Sequence, residues 1–129
     1  MIANPSPRRG EIWTAYLEEA SQRHWVVITS LDSRNLSEHT SSVLVVPFGS
    51  YGKPGPTVAQ LPPGETGLPE VSYLKAHFIQ VLTKNRLIER QRRVLSYTRM
   101  KELVQMIRRS IDPDALGPDV DRMGLARRS

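Results

Sequence analysis

The sequence predicts a small, mainly β domain, in which a bent antiparallel sheet closes into a barrel with one helix packed on it. Three observations predict this. Arg9-Gly10-Glu11-Ile12-Trp13, Arg23-His24-Trp25-Val26-Val27-Ile28 and Val43-Leu44-Val45-Val46-Pro47-Phe48-Gly49-Ser50 are short, β-rich apolar runs joined by polar turns. The joins are too short for the crossovers that parallel strands need, so neighbours run antiparallel. Only one stretch, near the C-terminal end, keeps a helical period over several turns.

Length and composition set the bounds. A chain of 129 residues is one domain's worth and can bury an ordinary core. Hydrophobic residues at 39% and charged residues at 24% suit a soluble globular protein. No apolar run approaches the roughly 18 residues of a membrane span, and the first residues lack an apolar signal core, so the cytoplasm is expected. The absence of cysteine removes disulfides and thiolate metal sites and fits a reducing compartment. His24, His39 and His77 do not recur at helical spacing, and neither metal nor cofactor is expected.

The net charge is +5, with a pI near 10. Lys84, Arg86, Arg90, Arg92, Arg93, Arg99 and Lys101 fall in one region, opposed by little besides Glu89 until Glu102. Such a concentration favours a nucleic acid or an acidic protein as partner. The plain alternative is a solvated face that keeps the protein soluble.

Taken in order, residues 1–8 read as a disordered lead-in. Gly10 to Tyr16 is the first strand and Leu17 to Gln22 a polar loop. His24 to Leu31 is a second strand, apolar enough to be buried on both faces. Asp32-Ser33-Arg34-Asn35 is a turn cluster whose loop runs to Ser41, and Ser42 to Phe48 is the third strand. A Gly-rich loop follows to Gly55. Thr57 to Leu61 is a short strand ended by Pro62-Pro63-Gly64. Val71 to Thr83 forms one long strand, or two joined by a bend near Lys75. Lys84 to Ile88 reads as a helical turn and Val94-Leu95 as a last short strand.

The helix is expected from Tyr97 to Ile111, capped by Ser96 and stapled by Leu95 and Met100. Met100, Leu103, Val104, Ile107 and Ile111 form its apolar stripe, and Asp112-Pro113 stops it. Residues 112–129 read as a polar tail, which leaves 9–111 as the folded unit.

Several residues suit chemistry at the rim of such a sheet, where loops hold polar side chains on a rigid frame. Arg23 enters a buried strand from a loop, and its guanidinium stays charged and can grip a phosphate with two hydrogen bonds. The Ser50 hydroxyl can bond a phosphate oxygen or a ribose 2′-OH, or it is a turn serine. His24 and His77 are candidates for proton donor or acceptor, because imidazole is the side chain that titrates nearest neutrality, although a strand histidine is often structural. Lys84 and Arg86 suit phosphate contact, as does Lys53 on the Gly-rich loop. Tyr51, on that loop, is the best candidate to stack on an unpaired base, whereas Trp13 and Trp25 read as core.

The order of these segments resembles the MazF/PemK toxins. "RGEIW", the Arg before "VVI", "VLVVPFGS", "TGLPEVSYLKAHFIQVLTKNRL" with its "K-x-R-L" ending, and "RVLS" leading into an amphipathic helix together span Arg9 to Ile111. The resemblance implies an SH3-like (MazF/CcdB-type) barrel and a homodimer. It also implies a metal-independent, sequence-specific endoribonuclease cutting single-stranded RNA to 2′,3′-cyclic phosphate and 5′-OH ends, neutralised by an antitoxin with an acidic, disordered segment. Arg23 is then catalytic, assisted by Ser50, His24 or His77. Two positions depart from the pattern. Gly49 stands where the strand usually ends in Thr or Ser, and His77 where many relatives carry an acidic residue. They keep open a non-catalytic member that binds RNA or protein. A gyrase-poisoning toxin of the CcdB type is a further alternative on a related fold.

Overall fold

The computed structural model describes residues 6–17 and 22–114. The expected lead-in, the loop after the first strand and the tail lie largely outside them. The elements are β1 (Glu11–Tyr16), β2 (Arg23–Ile28), α1 (Asp32–Asn35), β3 (Ser42–Gly49), β4 (Val58–Leu61), β5 (Ser72–Lys75), β6 (Gln80–Thr83), β7 (Leu87–Val94) and α2 (Tyr97–Ile111), with 3-10 turns at Ala76–Phe78 and Lys84–Arg86.

The strands form a seven-stranded sheet in the order β4-β5-β3-β2-β1-β7, and β6 also pairs β3. Every pairing is antiparallel. Mainly antiparallel β with a C-terminal helix is therefore the architecture, as expected. Closure is not: among the described residues β7 pairs β1 alone and β4 pairs β5 alone, so the sheet is open.

The stretch expected as one strand or two divides directly after Lys75. β6 runs along Ser42–Val45 of β3, and β5 along Phe48–Gly49 of the same edge. The 3-10 turn at Ala76–Phe78 is the step between them. The helical turn expected over Lys84 to Ile88 ends at Arg86, and an eight-residue strand follows instead of a two-residue one. Pairing with β1 overrides the weak strand propensity of that charged run. Part of the expected loop after Leu31 winds into the single turn of α1, held by buried Asn35.

Two apolar clusters cover the two faces of the sheet. Ile12, Val27, Val46, Phe48 and Leu74 pack beneath α2, against Met100, Leu103 and Met106. Val26, Ile28, Val43, Val45, Leu82 and Leu87 pack on the other face. Alternation along β2 puts Val27 in one cluster and Val26 with Ile28 in the other, so this strand is buried on both sides.

Helix α2 has the expected bounds, and Ser96 Oγ accepts the Arg99 N–H at 3.1 Å. Its buried face is rotated from the expected stripe. Met100, Leu103 and Met106 are buried, while Val104 and Ile111 are exposed. The helix leans on the Ala76–Phe78 turn as well as on the sheet, which shifts the face it must cover. Removing Leu103, which is fully buried, to Ala would cost roughly 2–5 kcal/mol.

Candidate functional site

The site begins where two central strands part. β2 and β3 are laddered from Ile28↔Val45 to Val26↔Pro47. Pro47 has no backbone N–H with which to extend the ladder. Beyond that pair no ladder joins the two strands, and Arg23 and His24 lie past its end. Successive strand residues alternate in direction, so His24 leaves β2 on the side of Val26 and Arg23 on the side of Trp25.

Two cavities meet at the end of β3. One, of about 470 Å³, is lined by Leu17, His24, the stretch from Pro47 to Tyr51, Lys75, Phe78 and Gln80. The other, of about 320 Å³, is lined by Trp25, Phe48 and residues 68–72, and shares Gly49 and Ser50 with the first. A third, of about 680 Å³, continues past Trp25 to Glu65, Thr66, Gly67 and the basic end of β7 at Arg92 and Arg93. Trp25 is thus the wall between successive hollows and not simply core. Gly67, in the left-handed region at φ +99°, turns the chain beside the Trp25 ring.

The sequence-derived candidates divide on this geometry. Ser50, His24 and Tyr51 come together around the first cavity. Arg23 is exposed at the start of β2, next to His24. His77 stands apart from the cavity lining. Its Nδ1 is 3.0 Å from Thr57 Oγ1, and its ring packs on Phe78. Lys53 is exposed on the loop beyond Tyr51.

Lys84 and Arg86 are committed to the fold. Lys84 is only 4% exposed, and its Nζ donates to the Ser37 carbonyl at 2.9 Å. Arg86 donates from Nε to the Tyr16 carbonyl at 2.7 Å and from Nη2 to the Leu17 carbonyl at 3.0 Å. The turn after β6 points both side chains back at the chain, so neither cation is held out toward a phosphate. Arg86 fixes the end of β1 instead.

Sequence reasoning missed Lys75 and Phe78. The Lys75 ammonium lies 5.0 Å from the centroid of the Tyr51 ring and 5.8 Å from that of Phe78. The available signal was a lone lysine after Ser72-Tyr73-Leu74, immediately before the bend. Among the described residues no three of His, Asp and Glu gather closely enough to hold a metal ion. The groups with displaced pKa values lie elsewhere and are structural. The Arg9 N–H holds Asp32 below the usual carboxylate range, and the Glu65 carboxylate raises Arg99.

Residues 8–111 match the profile of the PemK-like, MazF-like toxins of type II toxin–antitoxin systems. The chain belongs to that family. Solved structures of similar fold include an endoribonuclease from a mycobacterial species in complex with its cognate antitoxin, with a TM-score of 0.67 and 23% identity over 81% of this chain and 94% of that one. A second mycobacterial endoribonuclease aligns with a TM-score of 0.68 and 21% identity over 83% and 92% of the two chains. The Mycobacterium tuberculosis toxin MazF-mt6 aligns with a TM-score of 0.68 and 19% identity over 79% and 96%. At such identities the likeness is one of fold. No protein of curated function matches the sequence.

Proposed function

We propose that this protein is a toxin that cuts single-stranded RNA at specific sequences without a metal, within a unit spanning residues 9–111. The observation that carries the reading is the meeting of His24 and Ser50 around one cavity at the open end of β2 and β3, with Arg23 exposed beside His24 at the start of β2, in a MazF-like chain. His24 takes the proton from the 2′-OH, and the 2′-oxygen attacks the adjacent phosphorus. The bond from phosphorus to the 5′-oxygen breaks, and water protonates the departing oxygen. The products are a 2′,3′-cyclic phosphate and a 5′-OH. Arg23 stabilises charge on the pentavalent phosphate, and Ser50 bonds one of its oxygens. Tyr51 stacks on a neighbouring base.

The protein would act as a homodimer in the cytoplasm, restrained by an antitoxin. A solved relative bound to its cognate antitoxin supports that partner. An acidic, disordered segment suits the basic face of this chain.

The test is incubation of purified protein with a long unstructured RNA in excess EDTA, followed by mapping of the cut ends. Discrete cuts with 5′-OH ends, lost in Arg23→Ala, are expected. RNA that stays intact but bound would replace this reading with the non-catalytic one, with Gly49 as its first suspect. Trapped DNA breaks without RNA cleavage would indicate gyrase poisoning.

A further inference from the structure

Lys75 ends β5 with its ammonium between two exposed aromatic rings, in the cavity that also contains His24 and Ser50. Tyr51 is 77% exposed and Phe78 50%. Large apolar rings are rarely left this open, and two of them flank one cation here. No Asp or Glu is among the described residues lining this cavity. The ammonium therefore brings a positive charge to a concave surface that has no carboxylate among its described lining residues.

One glycine makes room for that side chain. A Cβ on Gly52 would lie 3.1 Å from Lys75 Cε and 3.3 Å from the Tyr73 ring. A Cβ on Gly49 would lie 3.8 Å from the same Cε, an ordinary van der Waals contact. Gly52 has no positive φ, so what it contributes is room and not backbone freedom.

We propose that Lys75 is a substrate-binding residue of this site, its ammonium contacting an RNA phosphate while Tyr51 and Phe78 stack on the bases beside it. The inference rests on the endoribonuclease reading and adds a phosphate ligand to that site. A lysine is a compact, strongly hydrated point charge and suits a phosphate that need not be gripped bidentately. Aromatic faces hold unpaired bases without regard to their hydrogen-bonding edges. Spaced by one cation, they match a backbone in which charge and base alternate.

The test uses the full chain, with Lys75→Met, Lys75→Arg, Gly52→Ala and the Gly52→Ala/Lys75→Met double variant. Binding is measured with a random pool of 2′-O-methyl oligoribonucleotides, which has no free 2′-OH and cannot be cut. Lys75→Met is expected to weaken binding about tenfold, the scale of one charged hydrogen bond. Its plot of log affinity against log salt should be shallower by about 0.7, the contribution of one single-strand phosphate contact. Lys75→Arg should restore most of both.

Gly52→Ala should weaken binding less, and should add nothing once Lys75 is Met. In cleavage assays the loss should appear mainly in KM. Lys75→Met with wild-type affinity and an unchanged salt slope overturns the proposal. A wild-type protein that cuts no RNA, but whose binding still depends on Lys75 in this way, sinks the endoribonuclease reading and leaves the phosphate contact standing.

Discussion

Asn35→Ala is the perturbation whose cost follows most directly from the structure. Asn35 is fully buried in α1 and makes three side-chain hydrogen bonds. Its Oδ1 accepts from Ser30 Oγ, and its Nδ2 donates to the Ser30 carbonyl at 2.7 Å and to Asp32 Oδ1 at 3.1 Å. Ser30 Oγ in turn accepts the Leu44 N–H at 3.0 Å, so the cluster ties α1 to the start of β3. At roughly 1 kcal/mol net for each bond, the substitution should cost about 3 kcal/mol, with the orphaned Ser30 groups adding to it. For m near 2 kcal/mol/M, the urea midpoint should then fall by about 1.5 M with little change in m. Ser30→Ala breaks the same cluster, so the double variant should cost less than the sum of the singles. RNA cleavage well below the transition should be unaffected, because the cluster lies at the opposite end of β3 from Ser50. A midpoint shift under about 0.3 M would refute this account of α1.

Asp32→Ala should cost up to about 1 kcal/mol at neutral pH by freeing the Arg9 N–H, which Asp32 Oδ1 accepts at 2.7 Å. Because the folded-state pKa is lowered, that contribution is present above the ordinary aspartate value of 3.8 and is lost as pH falls through the folded value; urea midpoints of variant and wild type should converge in acid. Arg99→Met removes a two-pronged pair with Glu65, at 2.8 and 3.1 Å, that clips α2 to the turn before Gly67. Both partners are partly solvated, so thermal melts should show a loss near 1 kcal/mol that shrinks in about 1 M salt. Gly67→Ala forces a side chain onto a left-handed backbone against the Trp25 ring, and should lower stability by roughly 1–2 kcal/mol and alter tryptophan fluorescence.

Local pattern carried most of the architecture. β1, β2, β3 and α2 are found within a residue or a few of where alternation and capping put them, because their apolar residues are buried and their ends are marked by Gly, Pro or Ser. The long strand of β7 was not legible. Leu87–Val94 is mostly charged, and only its ladder with β1 makes it a strand. The site was half legible. Arg23, His24 and Ser50 sit at strand ends that sequence can locate, and one cavity brings His24 and Ser50 together. Lys84 and Arg86 could not be judged, since a basic residue reads the same whether it faces solvent or caps a carbonyl. Lys75 depends on a bend and a distant glycine that no local window contains.

The open end of the sheet has a consequence for handling the protein. Among the described residues β7 bonds to β1 on one side only, so eight residues of backbone offer their other side to any extended chain that arrives. Glu89, Arg90, Arg92 and Arg93 crowd that strand with solvated charge, and an incoming strand would have to strip it of water. The same arginines that read as a nucleic-acid footprint therefore act as a guard against self-templated aggregation. Neutralising them should lower the solubility of the protein, which the concentration at which it begins to precipitate would show.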